Sequence, residues 1–288
     1  PPYLSSLVII RLLLFQQLRR SPINWQICTY RKRHNPYFIG CMMNTAPSLP
    51  SGLRIYAIGD IHGRLDLLKQ LMDRIDAEPK PAGVTVKKVF LGDYIDRGVQ
   101  SKQVLDYLLQ VADKESGAQK PDFLLGNHEQ VMRELVKQKD MKLLQDWLRF
   151  GGRETLMSYG IRPAMLTTTA SLTAMLSDFL DKYPKAHNDY VASMQTSVTY
   201  GDYFFCHAGA RYGVPLQEQS EQDLVWIRHD FLSNTKKFEK MIVHGHTISE
   251  EAEMLPHRIN VDTGAYATGC LTAIGLEGTQ QWLIQTNR

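Results

Sequence analysis

The sequence predicts a layered α/β fold on two observations. From Leu53 onward, short apolar strand candidates alternate with helical patterns, and the later strands follow so closely that they suggest a second sheet packed on the first. With 288 residues, 43% hydrophobic and 22% charged, the chain is long enough to bury such a core.

Residues 54–58 are an apolar run read as a strand, and 65–77 repeat apolar residues at three- and four-residue steps, which predicts a helix. Strands are next expected at 88–91 and 122–125, with a helix at 101–111 between them. The stretch 130–196 shows helical patterns, with helices expected at 129–137, 143–150 and 172–182, but no good strand. It is read as a helical insertion over one edge of the sheet. Strands then fall at 198–206, 240–243, 258–261, 271–276 and 281–284.

Residues 1–50 stand apart. They contain six basic residues and no acid, and without them the net charge of +3 becomes −3. The main body is therefore mildly acidic and has no basic stripe for nucleic acid. The apolar run Leu7–Phe15 is broken by Arg11 and is too short for a bilayer core of about 30 Å, so no membrane partner is expected. Scattered arginines and missing acids are also features of an organellar transit peptide, but the reading favours a disordered or non-native upstream extension with the natural start at Met42 or Met43. A polar linker, Asn44–Gly52, is expected to join it to a catalytic domain spanning 51–288. Cys28, Cys41, Cys206 and Cys270 form no CxxC pair, which fits a reducing, cytoplasmic setting.

Five strand ends carry metal-binding residue types beside glycine. They are Gly59-Asp60-Ile61-His62-Gly63, Gly92-Asp93-Tyr94-Ile95-Asp96-Arg97-Gly98, Gly126-Asn127-His128-Glu129, His207-Ala208-Gly209 and His244-Gly245-His246-Thr247. Loops after parallel strands converge at one edge of a layered sheet, where α/β proteins place their sites. Carboxylate and amide oxygens mixed with imidazoles suit Mn²⁺, Fe or Zn²⁺, and the lack of thiolates argues against a structural zinc site. Asp60, His62, Asp93, Asn127, His207 and His246 are too many donors for one tetrahedral ion and about right for two divalent ions sharing a carboxylate. Two such ions suit in-line attack on phosphorus, which points to phosphate ester hydrolysis.

These five motifs, in this order, resemble the calcineurin-like metallophosphoesterase superfamily, and the DRG and GNHE endings are similar to its phosphoprotein phosphatase branch, bacterial members in particular. The resemblance covers roughly 53–276. It implies a four-layer α/β/β/α sandwich, two packed mixed sheets flanked by helices. It also implies that Asp60 and His62 hold the first metal, Asp93 bridges, and Asn127, His207 and His246 complete the second. By the same resemblance His128 is the general acid, oriented by Asp96, while Arg97 and Arg228 grip phosphate. Manganese is the expected ion, with iron or zinc as alternatives. The expected activity is a serine/threonine protein phosphatase using a metal-bridged hydroxide, on a phosphorylated protein or small phosphoester. The alternatives are a dinucleoside polyphosphate hydrolase and a catalytically silent phosphoprotein-binding module.

Several residues receive structural readings instead. Glu129 is expected to be a first-turn helix residue favoured by the dipole. His244 is left out of the ligands. Arg153, in the segment 151–160 similar to one in bacterial relatives, is read as structural. Asp262 is expected to hydrogen-bond a ligand loop or fix a histidine. The run Cys206–Arg211 is similar to the cysteine-dependent phosphatase loop, but has four intervening residues, one too few. Strand alternation also turns Cys206 toward the core if His207 faces the metal. In two places the family's usual proline is replaced, by Val99 after DRG and by Ile248 after GHT, which costs loop stiffness rather than ligation.

Overall fold

A computed structural model describes residues 46–162 and 168–286. Most of the expected N-terminal extension, including Met42 and Met43, lies outside the described residues. Among the described residues ten strands form two five-stranded mixed sheets. The first contains β1 (Leu53–Ile58), β2 (Thr85–Phe90), β3 (Asp122–Phe123), β9 (Thr272–Glu277) and β10 (Gln280–Gln285), in the order β10-β9-β1-β2-β3. The second contains β4 (Ser197–Tyr200), β5 (Tyr203–Cys206), β6 (Met241–His244), β7 (Glu253–Met254) and β8 (Arg258–Asn260), in the order β4-β5-β6-β8-β7. Strands β1, β2 and β3 run parallel, as do β5, β6 and β8, so all five ligand-bearing loops leave carboxyl ends of parallel strands.

Side-chain alternation builds the layers. Ile55, Ala57, Val89, Tyr203, Phe205, Val243, Ile259 and Ile274 form one apolar cluster drawn from both sheets. The alternate residues Tyr56, Ile58, Phe90, Phe204, Cys206 and Ile242 belong instead to a cluster shared with the helices. The period-2 rule thus separates a sheet-to-sheet interface from helix-facing surfaces. The flanking helices are α1 (Leu65–Ala77) and α2 (Ser101–Lys114), then α3 (Asn127–Gln138), α4 (Met141–Trp147), α5 (Arg153–Ser158), α6 (Thr169–Lys182) and α7 (Lys185–Ala192). Beyond β5 come α8 (Glu221–Trp226), α9 (His229–Leu232) and, before β9, α10 (Ala265–Thr268). No helix among the described residues is long and apolar enough to cross a membrane.

Some expected boundaries move. The strand expected at 198–206 is a hairpin, because Gly201-Asp202 forms a two-residue turn with Gly201 at φ 54° and Tyr200 opposite Tyr203. The strand expected at 122–125 is in register with β2 only over Asp122–Phe123; Leu124 then bridges Gln195 in parallel, with the Leu125 amide on the Gln195 carbonyl (2.7 Å) and the Gln195 amide on the Phe123 carbonyl (3.1 Å). Helix 143–150 ends at Trp147 and continues as a wide turn, Leu148–Gly152, that Gly151 breaks at φ 112°. The short helix α7 forms where the sequence shows no strong apolar period.

The expected polar linker is also corrected at its downstream end. Leu49 is buried, its amide reaches the Gly278 carbonyl (2.9 Å), Ser48 exchanges hydrogen bonds with Asp202, and the Pro47 carbonyl accepts from Tyr203 (3.2 Å). Two prolines and two serines read as a linker, yet the backbone is fastened to the β4–β5 turn.

Candidate metal centre

The five loops meet through their glycines. A Cβ on Gly92 would lie 2.7 Å from the Gly126 backbone, and one on Gly245 would fall on the Asp60 carboxylate, so these loops approach as closely as bare backbone allows. Among the described residues six non-glycines have positive φ, and five of them are His62, Asp93, Asp96, Arg97 and His246. Each such residue costs of order 1–3 kcal/mol, and that strain is concentrated where function requires it.

Asp93 sits at the middle. Its Oδ2 is 3.5 Å from His62 Nε2, 3.3 Å from His207 Nε2 and 3.9 Å from His128 Nε2. His62 and His207 turn their Nδ1 atoms to the carbonyls of Ile95 (2.8 Å) and Leu91 (2.9 Å). In the neutral tautomer those nitrogens donate, which leaves each Nε2 lone pair facing Asp93. Asn127 Oδ1 lies 3.0 Å from His207 Nε2 and 2.8 Å from His246 Nδ1. Acceptor lone pairs crowding together in a buried site are the donor set of a cation, not of a hydrogen-bond network.

Among the described residues two groups have donor atoms close enough to share an ion, His62–Asp93–His128 and Asp93–His207–His246, and Asp93 belongs to both. The Asp60 carboxylate lies in neither group; it accepts the His246 amide at 3.1 and 3.2 Å. Burial, then the charges of Asp262 and Asp93, push Asp60 well above the usual carboxylate range. Burial drives His62 down to about 3 and His246 down to about 2, so both imidazoles are neutral and available as ligands. Asp93 moves the other way. Its burial penalty is outweighed by His207 and His128, which hold it well below the carboxylate range. Buried carboxylates at 60, 93 and 262 need positive charge nearby, and two divalent ions fit that need.

His128 Nδ1 is 2.6 Å from Asp96 Oδ2. Burial lowers the imidazole pKa, but the charge of Asp93 and the Asp96 hydrogen bond outweigh it and raise it to about 9. Arg97 Nη1 lies 3.1 Å from His62 Nε2 and its guanidinium is 4.7 Å over the Tyr266 ring. Arg228 is exposed on the rim of a pocket with Trp226 and Arg211, and its charge helps depress His246. The two arginines therefore flank opposite donor groups.

Residues around the donors hold the loops in place. Glu129 is fully buried and accepts the amides of Asp93 (2.9 Å), Tyr94 (2.8 Å) and Ile95 (3.1 Å), so it clamps the Asp93 loop and is more than a dipole-favoured helix residue. Burial, then Asp93, raises it to about 7. Asp262 hydrogen-bonds the loop that carries His246, but through its backbone: its carbonyl accepts the Ser249 amide (3.0 Å), while its carboxylate takes the Gly264 amide (2.9 Å). Trp147 and Thr155 bond Asp96, a role whose only local sequence signal is the glycine pair between them. His244 is fully buried against Arg258 and Phe231, with its pKa lowered to about 3 by burial. Cys206 is buried with Sγ toward the Gly209 carbonyl and its thiol pKa raised by burial, while Arg211 is exposed and paired with Asp223 and Asp230. A cysteine nucleophile with a partner arginine is absent there.

Fold and donor set together define a metallophosphoesterase. Residues 53–268 match the calcineurin-like phosphoesterase family, and the chain belongs to it. The chain is 26% identical over 243 residues to a bis(5'-nucleosyl)-tetraphosphatase PrpE [asymmetrical] of Geobacillus sp., covering 77% of this chain and 89% of the relative. It is 25% identical over 279 residues to a bis(5'-nucleosyl)-tetraphosphatase, symmetrical, of Pseudomonas fluorescens, covering 80% and 94%. A solved cold-active protein-tyrosine phosphatase of a Shewanella species shares the fold, with a TM-score of 0.52, 18% identity and 83% of both chains covered.

Proposed function

We propose that this metallophosphoesterase hydrolyses dinucleoside tetraphosphates, with two divalent ions, manganese first among them, held by Asp60, His62, Asp93, Asn127, His207 and His246. The observation that carries the substrate is that relatives named as tetraphosphatases align over 89% and 94% of their own lengths. When bound, the ions activate water and neutralise phosphoryl charge. Around them Asp93 spans both donor groups, Arg97 and Arg228 bind phosphate oxygens, and His128 donates a proton from Nε2 to the leaving oxygen while Asp96 holds Nδ1.

A second reading, phosphoserine or phosphothreonine hydrolysis, is favoured by the acid itself. An alkoxide leaves poorly unless protonated, and His128 with Asp96 is built to protonate it. The deciding experiment compares kcat/KM for diadenosine tetraphosphate and a phosphoserine peptide with manganese, iron or zinc supplied. A higher value for the dinucleotide is expected. A higher value for the peptide replaces the first reading with the second, and no turnover of either leaves only a silent binding module.

A further inference from the structure

The helical stretch between β3 and β4 contributes side chains to the site through one carboxylate. Asp96 Oδ2 accepts from Trp147 Nε1 (2.8 Å) as well as from His128 Nδ1, and Asp96 Oδ1 accepts from Thr155 Oγ1 (2.6 Å). The Asp96 amide points at Thr155 Oγ1 (2.9 Å) and Ser101 Oγ (3.0 Å). Asp96, Ser101 and Thr155 are all 0% exposed, and Trp147 is 1% exposed. The wide turn between Trp147 and Thr155 is moulded on the same spot. The Gly151 carbonyl accepts the Arg97 amide (3.1 Å), a Cβ on Gly151 would lie 2.7 Å from Arg97, and one on Gly152 would lie 2.5 Å from the Trp147 ring.

We infer that Trp147 and Thr155 are positioning residues for the general acid, fixing the Asp96 carboxylate so that His128 aims Nε2 at the leaving oxygen. This rests on the acid role given to His128 above. With both Asp96 oxygens bonded by donors from α4 and α5, the carboxylate cannot rotate, and only the correct imidazole orientation completes its third bond. In the step served, a bond forms between phosphorus and the incoming water oxygen as the bond to the leaving oxygen breaks. The electron pair of the broken bond stays on the leaving oxygen, which takes the Nε2 proton. Trp147 and Thr155 matter only while that proton is needed.

Thr155→Val removes the donor with little change of volume, and Trp147→Phe removes it while keeping an aromatic ring in the buried site. On manganese-loaded protein, kcat for phenyl phosphate, whose phenoxide leaves poorly, should fall by about tenfold or more in each variant, a fraction of what general acid catalysis supplies. With 2,4-dinitrophenyl phosphate, whose phenoxide leaves unaided, kcat should stay within about twofold of wild type, and Thr155→Ser should restore the phenyl phosphate rate. Equal losses on both substrates, or none on either, overturn the inference. A wild-type rate on phenyl phosphate that Trp147→Phe lowers but His128→Asn does not would overturn the acid role itself. A readout independent of turnover is the proton resonance of His128 Nδ1–H in zinc-loaded protein. It should lie far downfield and shift or broaden in both variants; an unchanged resonance overturns the positioning role.

Discussion

Asp93 serves both donor groups, so its loss should be felt by both ions. Asp93→Asn keeps the size but removes the charge that His207 and His128 stabilise. Bound metal measured by elemental analysis should fall, and activity should drop by more than about 100-fold, while the circular dichroism spectrum stays native. Cys206→Ser should keep most activity, because the buried thiol faces the core and hydrogen-bonds the Gly209 carbonyl, which a hydroxyl can also use. The reverse pattern would sink the metal mechanism. Glu129→Gln tests the clamp on the loop. The amide can accept from Tyr94 and Ile95, but its NH₂ then faces the Asp93 N–H, donor against donor. Metal affinity, followed by titration calorimetry, should weaken about 10- to 100-fold.

At the scale of elements, the turn between α4 and α5 and the buried contacts of α7 are the testable parts. Gly151→Ala places a side chain at φ 112° and against the Arg97 backbone. It should cost about 1–3 kcal/mol in urea unfolding and lower activity through Arg97, whereas Gly160→Ala, also at positive φ but in open space, should spare activity. His187 joins α7 to α2 and to the end of α5. Tyr159 O–H donates to Nδ1 (2.7 Å), and Nε2–H donates to Asp106 (2.9 Å). Burial lowers its pKa, so the fold prefers the neutral ring. That stability is complete above the ordinary histidine value of about 6.5 and is lost as pH falls toward the folded value. Between pH 7.5 and 5.5 the wild type should therefore lose more unfolding free energy than His187→Gln, and equal losses would refute the assignment.

For the whole molecule, metal binding is also folding stability, because the buried carboxylates at 60, 93 and 262 repel one another without it. Ions at a hundredfold excess over Kd add about 2.7 kcal/mol. A chelator should then inactivate the protein and lower its Tm by roughly 5–11 °C. An unchanged Tm would mean the site does not hold ions in the fold.

The fold class was legible because apolar period is local information. Strand ends at 58, 90, 206 and 244 and helices α1, α2 and α6 sit within a few residues of where the pattern puts them. The chemistry was legible because donor types recur after those strands in an order that few sequences share. What failed to show was what depends on turns and distant partners: the Gly201-Asp202 hairpin hidden inside one apolar run, and the binding of 47–50 by residues more than 150 positions away.

By itself, the sequence determined that this protein is a two-sheet α/β protein carrying Asp60, His62, Asp93, Asn127, His207 and His246 at strand ends, because period-2 and period-3.6 patterns and residue types need no partner to be read. Only the tertiary structure decided how those donors face one another. Left-handed backbone at 62, 93, 96, 97 and 246 aims the side chains, carbonyls of residues 91 and 95 set two imidazole tautomers, and Glu129, Trp147 and Thr155 hold the loops from elsewhere in the chain. Those orientations come from hydrogen bonds spanning tens to more than a hundred residues, and no local pattern encodes them.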